Sequence, residues 1–224
     1  MYISDNYKRV KSLISNDKVT LVVVSKTHPV EKIKEVYDLG QRDFGENKVQ
    51  EMVTKAELLP NDIRWHLIGH LQSNKVKYIA GFVHLIHAVD SLSLLKEINK
   101  QGLKAGRVIK CLLQFHIAEE ETKFGLNEEE INELVKNLIS HPLENVRICG
   151  IMGMATNTED NDQVRKEFKS LKSLFDKLKT SEFSNNAYFN ILSMGMSGDY
   201  LIAIEEGGNM VRVGSAVFGD REYF

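Results

Sequence analysis

TLVVVS, residues 20–25, is the stretch whose reading decides the fold. Leu21 to Val24 form an unbroken apolar run rich in β-branched residues, so both faces of the strand they make are apolar. Such a strand belongs in a parallel sheet covered by helices. Outward from it, short apolar runs alternate with amphipathic segments, the signature of βα units. Strands are expected near 20–25, 42–45, 64–68, 83–88, 107–115, 146–152, 188–192 and 210–213, each but the last followed by a helix-compatible segment.

Two helices are plain from their spacing. Ile131, Leu134, Val135, Leu138 and Ile139 repeat on one face, with Asn127 and Glu130 spaced as a capping box ahead of them. Val164, Phe168, Leu171, Leu174, Phe175 and Leu178 make a second stripe. Both stripes suit helices covering a sheet, and they specify fold rather than function. Eight such units predict an α/β fold, a single (β/α)8 TIM barrel with an extra N-terminal helix near residues 4–15, one domain over 1–224. An open doubly wound sheet is the alternative, but no GxGxxG follows the first strand and the glycines fall near several strand ends.

Composition narrows the function classes. The 224 residues are 42% hydrophobic and 27% charged, an ordinary globular balance. Lys+Arg 29 against Asp+Glu 31 gives a net charge of -2, so the whole-molecule field offers no reason to expect nucleic acid or an anionic membrane as partner. Any anion site must be local. Cys111 and Cys149 sit in apolar stretches without metal-like spacing and read as buried thiols. The start lacks the apolar core of a signal peptide and no run is long enough to span a membrane, so a cytoplasmic protein is expected.

In a barrel, chemistry collects where the strands end at their carboxyl side. Those positions carry Lys26, Asn47, His66, His70, Asp90, His116, Met154, Ser193 and Ser215. Lys26 follows the first run, where partial desolvation would lower its pKa. A shift of about three units corresponds to roughly 4 kcal/mol, enough to supply a neutral amine for Schiff-base chemistry. A snorkelling or ion-paired lysine is the plainer reading.

ILSMGMSGDY, residues 191–200, has the grammar of an anion site: Ser193, Gly195, Ser197 and Gly198 between a strand end and a helix start. A Ser/Gly turn with Asp199 as N-cap fits it too. MVRVGSAVFG, residues 210–219, ends a strand again on Gly214 and Ser215, and barrels often hold a phosphate between the loops after strands seven and eight. Alternation puts Arg212 opposite Val211 and Val213, either into the barrel, toward a bound heterocycle, or in an ion pair with Glu205 or Glu206. Trp65 reads as a core anchor. His66 and His70 straddle a strand end without cysteine or acidic ligands beside them, so no metal is expected there.

SKTHP (25–29), FGENKVQE (44–51), WHLIGHLQSNK (65–75), Lys123-Phe124-Gly125, GIMGMAT (150–156), LSMGMSGDY (192–200) and VRVGSAVFG (211–219) together resemble the pyridoxal-phosphate homeostasis proteins, single-domain relatives of the alanine racemase barrel domain. The resemblance spans nearly the whole chain. It implies pyridoxal 5'-phosphate as cofactor, bound as a Schiff base to Lys26, with Ser193, Ser197, Gly214 and Ser215 at its phosphate and Arg212 at its pyridine nitrogen. Asn47, His66, Met152, Met154 and Met194 match positions that line or support the cofactor in such proteins. One departure lies at the rim, where this chain has His116 in place of the more usual asparagine and Phe124 in place of a less bulky residue.

An arginine at the pyridine nitrogen disfavours ring protonation and weakens the cofactor as an electron sink. The racemases that the barrel resembles add a catalytic group from a separate β domain, for which these 224 residues leave no room. The expectation is therefore a monomeric carrier that buffers or delivers pyridoxal phosphate, possible recipients being the apoenzymes that use it. A pyridoxal-phosphate-dependent racemase or lyase on a small amino acid is the alternative. A Schiff-base aldolase on a sugar phosphate would use the same lysine-plus-phosphate logic.

Overall fold

The computed structural model describes residues 2–14, 17–118, 125–126 and 128–219. Eight parallel strands close into a barrel in chain order: β1 (Thr20–Val24), β2 (Asp43–Glu46), β3 (Arg64–Leu67), β4 (Leu85–Val89), β5 (Ile109–His116), β6 (Val146–Met154), β7 (Ile191–Ser193) and β8 (Met210–Val213). The last strand pairs with the first, Val22 opposite Arg212 and Val23 opposite Val213. The helices are α1 (Ile3–Leu13), α2 (Val30–Asp38), α3 (Val49–Leu58), α4 (Val76–Ile79), α5 (Leu92–Ala105), α6 (Glu128–Ser140), α7 (Asn161–Thr180), α8 (Tyr200–Glu205) and α9 (Ser215–Phe218). Among the described residues no helix is long and apolar enough to cross a membrane.

The apolar run of β1 does what its composition requires. Leu21 and Val23 enter the outer core between strands and helices, while Val22 joins an inner layer with Leu85, Ala88, Leu112, Cys149, Met152 and Met210. Both predicted stripes face the outer core: Ile131, Leu134 and Val135 of α6, and Val164, Phe168, Leu171, Phe175 and Leu178 of α7, are buried in it. Removing the Phe168 ring would cost about 3–5 kcal/mol. Trp65 is a core residue, tilted against Phe44 at 6.3 Å. The capping-box position Asn127, and Lys123 and Phe124, lie outside the described residues.

Two departures from the sequence reading have local causes. β7 begins at Ile191, because Phe189 leaves the strand line to stack between Phe175 and Phe183, and Tyr188 lies under the Arg147 guanidinium. The last strand is followed by a helix after all, the four-residue α9. So short an element cannot cover β8 by itself. α1 packs beside it and completes the ring of helices, with Tyr7 and Val10 in the core and Asn6 Nδ2 donating to Val217 O at 3.2 Å.

Candidate functional site

The loops that follow β1, β7 and β8 meet at the carboxyl mouth. Gly214 packs directly on β1: a Cβ there would sit 3.2 Å from Val24 Cβ. His28, just past Lys26, stacks on Phe218 with ring centroids 4.5 Å apart. The turn that carries Lys26 and the Gly214–Ser215 turn are therefore neighbours.

Lys26 stands two residues beyond β1, partly buried, on a braced turn. Ser25 is fully buried and its hydroxyl donates to Glu46 Oε1 at 2.6 Å. Lys55 Nζ donates to Ser25 O, Glu46 Oε1 and Glu51 Oε1, each at 2.7 Å. Burial pushes the Glu46 carboxyl up despite the Lys55 ammonium, and its Oε2 has no partner among the described residues. Thr27 adopts a left-handed φ of 69°, rare for a branched residue, held by its N–H donating to Glu51 Oε1 at 2.5 Å. Glu46, Glu51 and Lys55 were not foreseen as part of the site. The first two lie within FGENKVQE, but nothing in their spacing says that they meet under Lys26.

The β7–α8 and β8–α9 loops are joined through one oxygen. Ser197 Oγ accepts from Gly214 N at 3.0 Å and from Ala216 N at 3.3 Å. Two backbone donors thus converge on a hydroxyl whose own proton remains to donate. Gly195 makes the preceding turn feasible: its φ is 89°, and a Cβ would stand 2.6 Å from Ala203 Cβ. Asp199 flanks α8 without capping it, its Oδ1 accepting from Met196 N at 2.5 Å. Ser215 is exposed at the start of α9.

Arg212 points into the barrel. Nη1 donates to Ser193 Oγ at 2.6 Å and Nη2 to Gly153 O at 3.1 Å. Glu205 and Glu206, its alternative partners, are both taken by Arg165. With no carboxylate in ion-pair reach among the described residues, burial lowers the Arg212 pKa to about 10, Asp199 opposing at longer range. Ser193 departs from the expected anion cradle: its buried hydroxyl is engaged by Arg212 and by His87 Nδ1 at 3.1 Å.

His66 also lies deeper than a strand-end position, since its ring is held inside the barrel by His87 and by Asp43 at the far end of β2. Met152 is fully buried in the inner layer, and Met154 packs partly exposed on that layer. The Met194 side chain lies in the outer core instead, beneath Gly208. Asn47 is half-buried after β2, with Gly69 so close to its backbone that a Cβ would meet Asn47 O at 2.5 Å. His116 is exposed, and His70 pairs with Asp90 at 3.4 Å.

The amino end of the barrel has its own cavity of about 280 Å³, lined by Asp43, Arg64, His66, His84, Lys110 and Met210. Donor atoms of Asp43, His66 and His84 lie within 4.8 Å of one another. A metal there would have to displace Arg64, which already binds both Asp43 oxygens at 2.7 and 2.5 Å, and would face Lys110. A larger concavity of about 670 Å³ beside α1, between Lys8, Lys11, Gln41 and Arg42, is remote from the convergent loops. Chemistry, not volume, makes the carboxyl mouth the candidate site.

Comparison with known proteins gives the family and the fold. The profile of the alanine racemase N-terminal domain family matches residues 2–222. A pyridoxal phosphate homeostasis protein of Aquifex aeolicus is 42% identical over 204 residues, covering 91% of this chain and 87% of the relative. The structure of PipY from Synechococcus elongatus with PLP bound superposes with a TM-score of 0.86 at 32% identity, covering 97% of this chain and 100% of that one. Alanine racemase from Bartonella henselae, at 18% identity and a TM-score of 0.72, shares the fold; 99% of this chain matches 63% of that one.

Proposed function

The chain belongs to the pyridoxal phosphate homeostasis proteins, within the wider family of the alanine racemase N-terminal domain, and on that premise we propose that it binds pyridoxal 5'-phosphate at the carboxyl mouth of one barrel domain, 1–224, and buffers or delivers it. The observation that carries this reading is the convergence of Gly214 N and Ala216 N on Ser197 Oγ, beside the turn that bears Lys26. Both N–H groups are given to Ser197 Oγ, so the Ser197 hydroxyl proton is the donor left for a phosphate, and a bond to a charged oxygen contributes about 1.5–3 kcal/mol without a basic surface.

In this reading Ser197 and Ser215 hold the phosphate, and Gly214 orients the Ser197 hydroxyl for it. Lys26 would be the residue that holds the aldehyde carbon, through its ε-amine. Arg212, a cation with no carboxylate in ion-pair reach among the described residues, would face the pyridine nitrogen and keep it unprotonated, with Ser193 acting on the ring through Arg212. Asn47, Met152 and Met154 line the space below, while His66 and Met194 support it at one remove. The cofactor supplies the aldehyde and the electron-withdrawing ring. With that ring unprotonated, carbanion chemistry is disfavoured, which agrees with a carrier rather than a catalyst. A cytoplasmic monomer that hands the cofactor to apoenzymes, with neither nucleic acid nor membrane as partner, completes the proposal.

The test is the visible spectrum of the protein titrated with pyridoxal 5'-phosphate beside its Lys26→Ala variant. A yellow wild type and a variant without the lysine-bound band are expected. A colourless wild type that fails to retain the cofactor on dialysis overturns the binding site. Exchange of an amino-acid α-proton at a turnover of about 1–1000 per second overturns the carrier reading.

A further inference from the structure

Beneath Arg212 a line of side chains crosses the barrel from one mouth to the other. Arg212 Nη1 meets Ser193 Oγ at 2.6 Å, Ser193 Oγ meets His87 Nδ1 at 3.1 Å, His87 Nε2 meets His66 Nδ1 at 2.9 Å, and His66 Nε2 meets Asp43 Oδ1 at 3.0 Å. His87, Ser193, His66 and Arg212 are all buried, and the surrounding interior is apolar: Leu85, Ala88, Leu112 and Met152. We propose that Asp43, His66 and His87 are positioning residues, which orient the Ser193 hydroxyl and through it the Arg212 guanidinium; the inference rests on the reading that Arg212 faces the cofactor ring.

With one proton on each ring, the two ends fix every proton in between. A guanidinium only donates, and the Asp43 carboxylate, which also accepts from Arg64, only accepts. His66 must therefore carry its proton on Nε2, leaving Nδ1 bare. The bare Nδ1 requires a proton on His87 Nε2, which leaves His87 Nδ1 bare in turn. Ser193 must then donate its hydroxyl proton to His87, and its oxygen lone pair accepts from Arg212. Burial disfavours a charged His87, so that ring holds a single neutral tautomer. Any reversed ring would set two N–H groups, or two lone pairs, against each other at a joint. Bonds aligned in one direction within an apolar interior polarise one another. The consequence is a guanidinium held at both ends, by Ser193 and by Gly153 O, with its remaining N–H groups fixed in direction by a carboxylate at the opposite mouth.

Nitrogen-15 NMR of the histidine-labelled protein without cofactor reads the line directly. Both rings are expected as Nε2–H tautomers; an Nδ1–H tautomer or an imidazolium at either His66 or His87 overturns the proposal. The second arm loads wild type, His87→Leu and His87→Asn with pyridoxal 5'-phosphate and follows the visible band against pH. His87→Leu removes the acceptor for Ser193 and is expected to move the midpoint by about one pH unit or more, whereas the Asn oxygen stands in for Nδ1 and returns it toward wild type. Equal midpoints in all three proteins overturn the proposal. A wild type that binds no cofactor sinks the preceding functional reading alone, and the tautomers still decide the line.

Discussion

Gly214 N–H donates to the Ser197 hydroxyl across 3.0 Å, although the two residues belong to different loops. That single oxygen sets the spacing of two turns, since Ala216 N–H reaches it as well. Ser197→Ala removes the shared acceptor and the outward hydroxyl proton together. Ser197 is only half-buried, so the fold should survive. With about 1.5–3 kcal/mol at stake, affinity for pyridoxal 5'-phosphate should fall roughly 10- to 150-fold, measured by equilibrium dialysis. An unchanged affinity would remove Ser197 from the phosphate cradle.

The buried pair below Lys26 makes a second prediction. Glu46 and Lys55 are 0% and 6% exposed, and Lys55→Met leaves the carboxylate buried with only Ser25 as partner. Breaking such a pair costs about 3–5 kcal/mol, while replacing both members costs much less. Urea denaturation should therefore find the double variant Glu46→Gln, Lys55→Met more stable than Lys55→Met alone. Equal or greater loss in the double variant would mean that the charge on Glu46 is not what the lysine neutralises.

Acid should destabilise the protein in two stages. Burial lowers the pKa of His87, and burial with the charges of His66 and Lys110 lowers that of His84 to about 4, so below the ordinary value of 6.5 the unfolded chain takes up protons that the native state refuses. This stability is whole above about pH 6.5 and declines as pH falls toward 4. Burial alone would raise the Asp43 carboxyl, but hydrogen bonds from Arg64 and His66 outweigh it and hold it below the usual range. Its contribution is present above about pH 4 and is lost as pH falls further. Urea midpoints from neutral to strongly acid pH should show both declines, and Asp43→Asn should flatten the lower one. A midpoint that rises between neutral pH and pH 5 contradicts the assignment.

What was legible in the sequence was what repeats locally. Leu21 to Val24 announce a doubly covered strand, the α7 stripe from Val164 to Leu178 announces its buried face, and Arg212 follows the alternation that turns it inward. Backbone period and side-chain polarity act between residues a few positions apart, so these features need no knowledge of the rest of the chain. Even the convergence of Ser197 with Gly214 could be anticipated, because barrel closure makes the last two loops neighbours.

Only the tertiary structure decided who shares a proton with whom. His87 and Ser193 are 106 residues apart, and neither carries a mark of the other. Ser193 reads as an anion donor in its own segment and becomes an acceptor for Arg212 because a buried oxygen must satisfy whatever donor closure brings to it. Lys55 beneath Ser25, Arg165 taking the glutamates from Arg212, and Phe189 leaving β7 for an aromatic stack have the same origin. Local chemistry selects which groups a strand presents inward; the closure of the barrel selects their partners, and burial makes that choice binding.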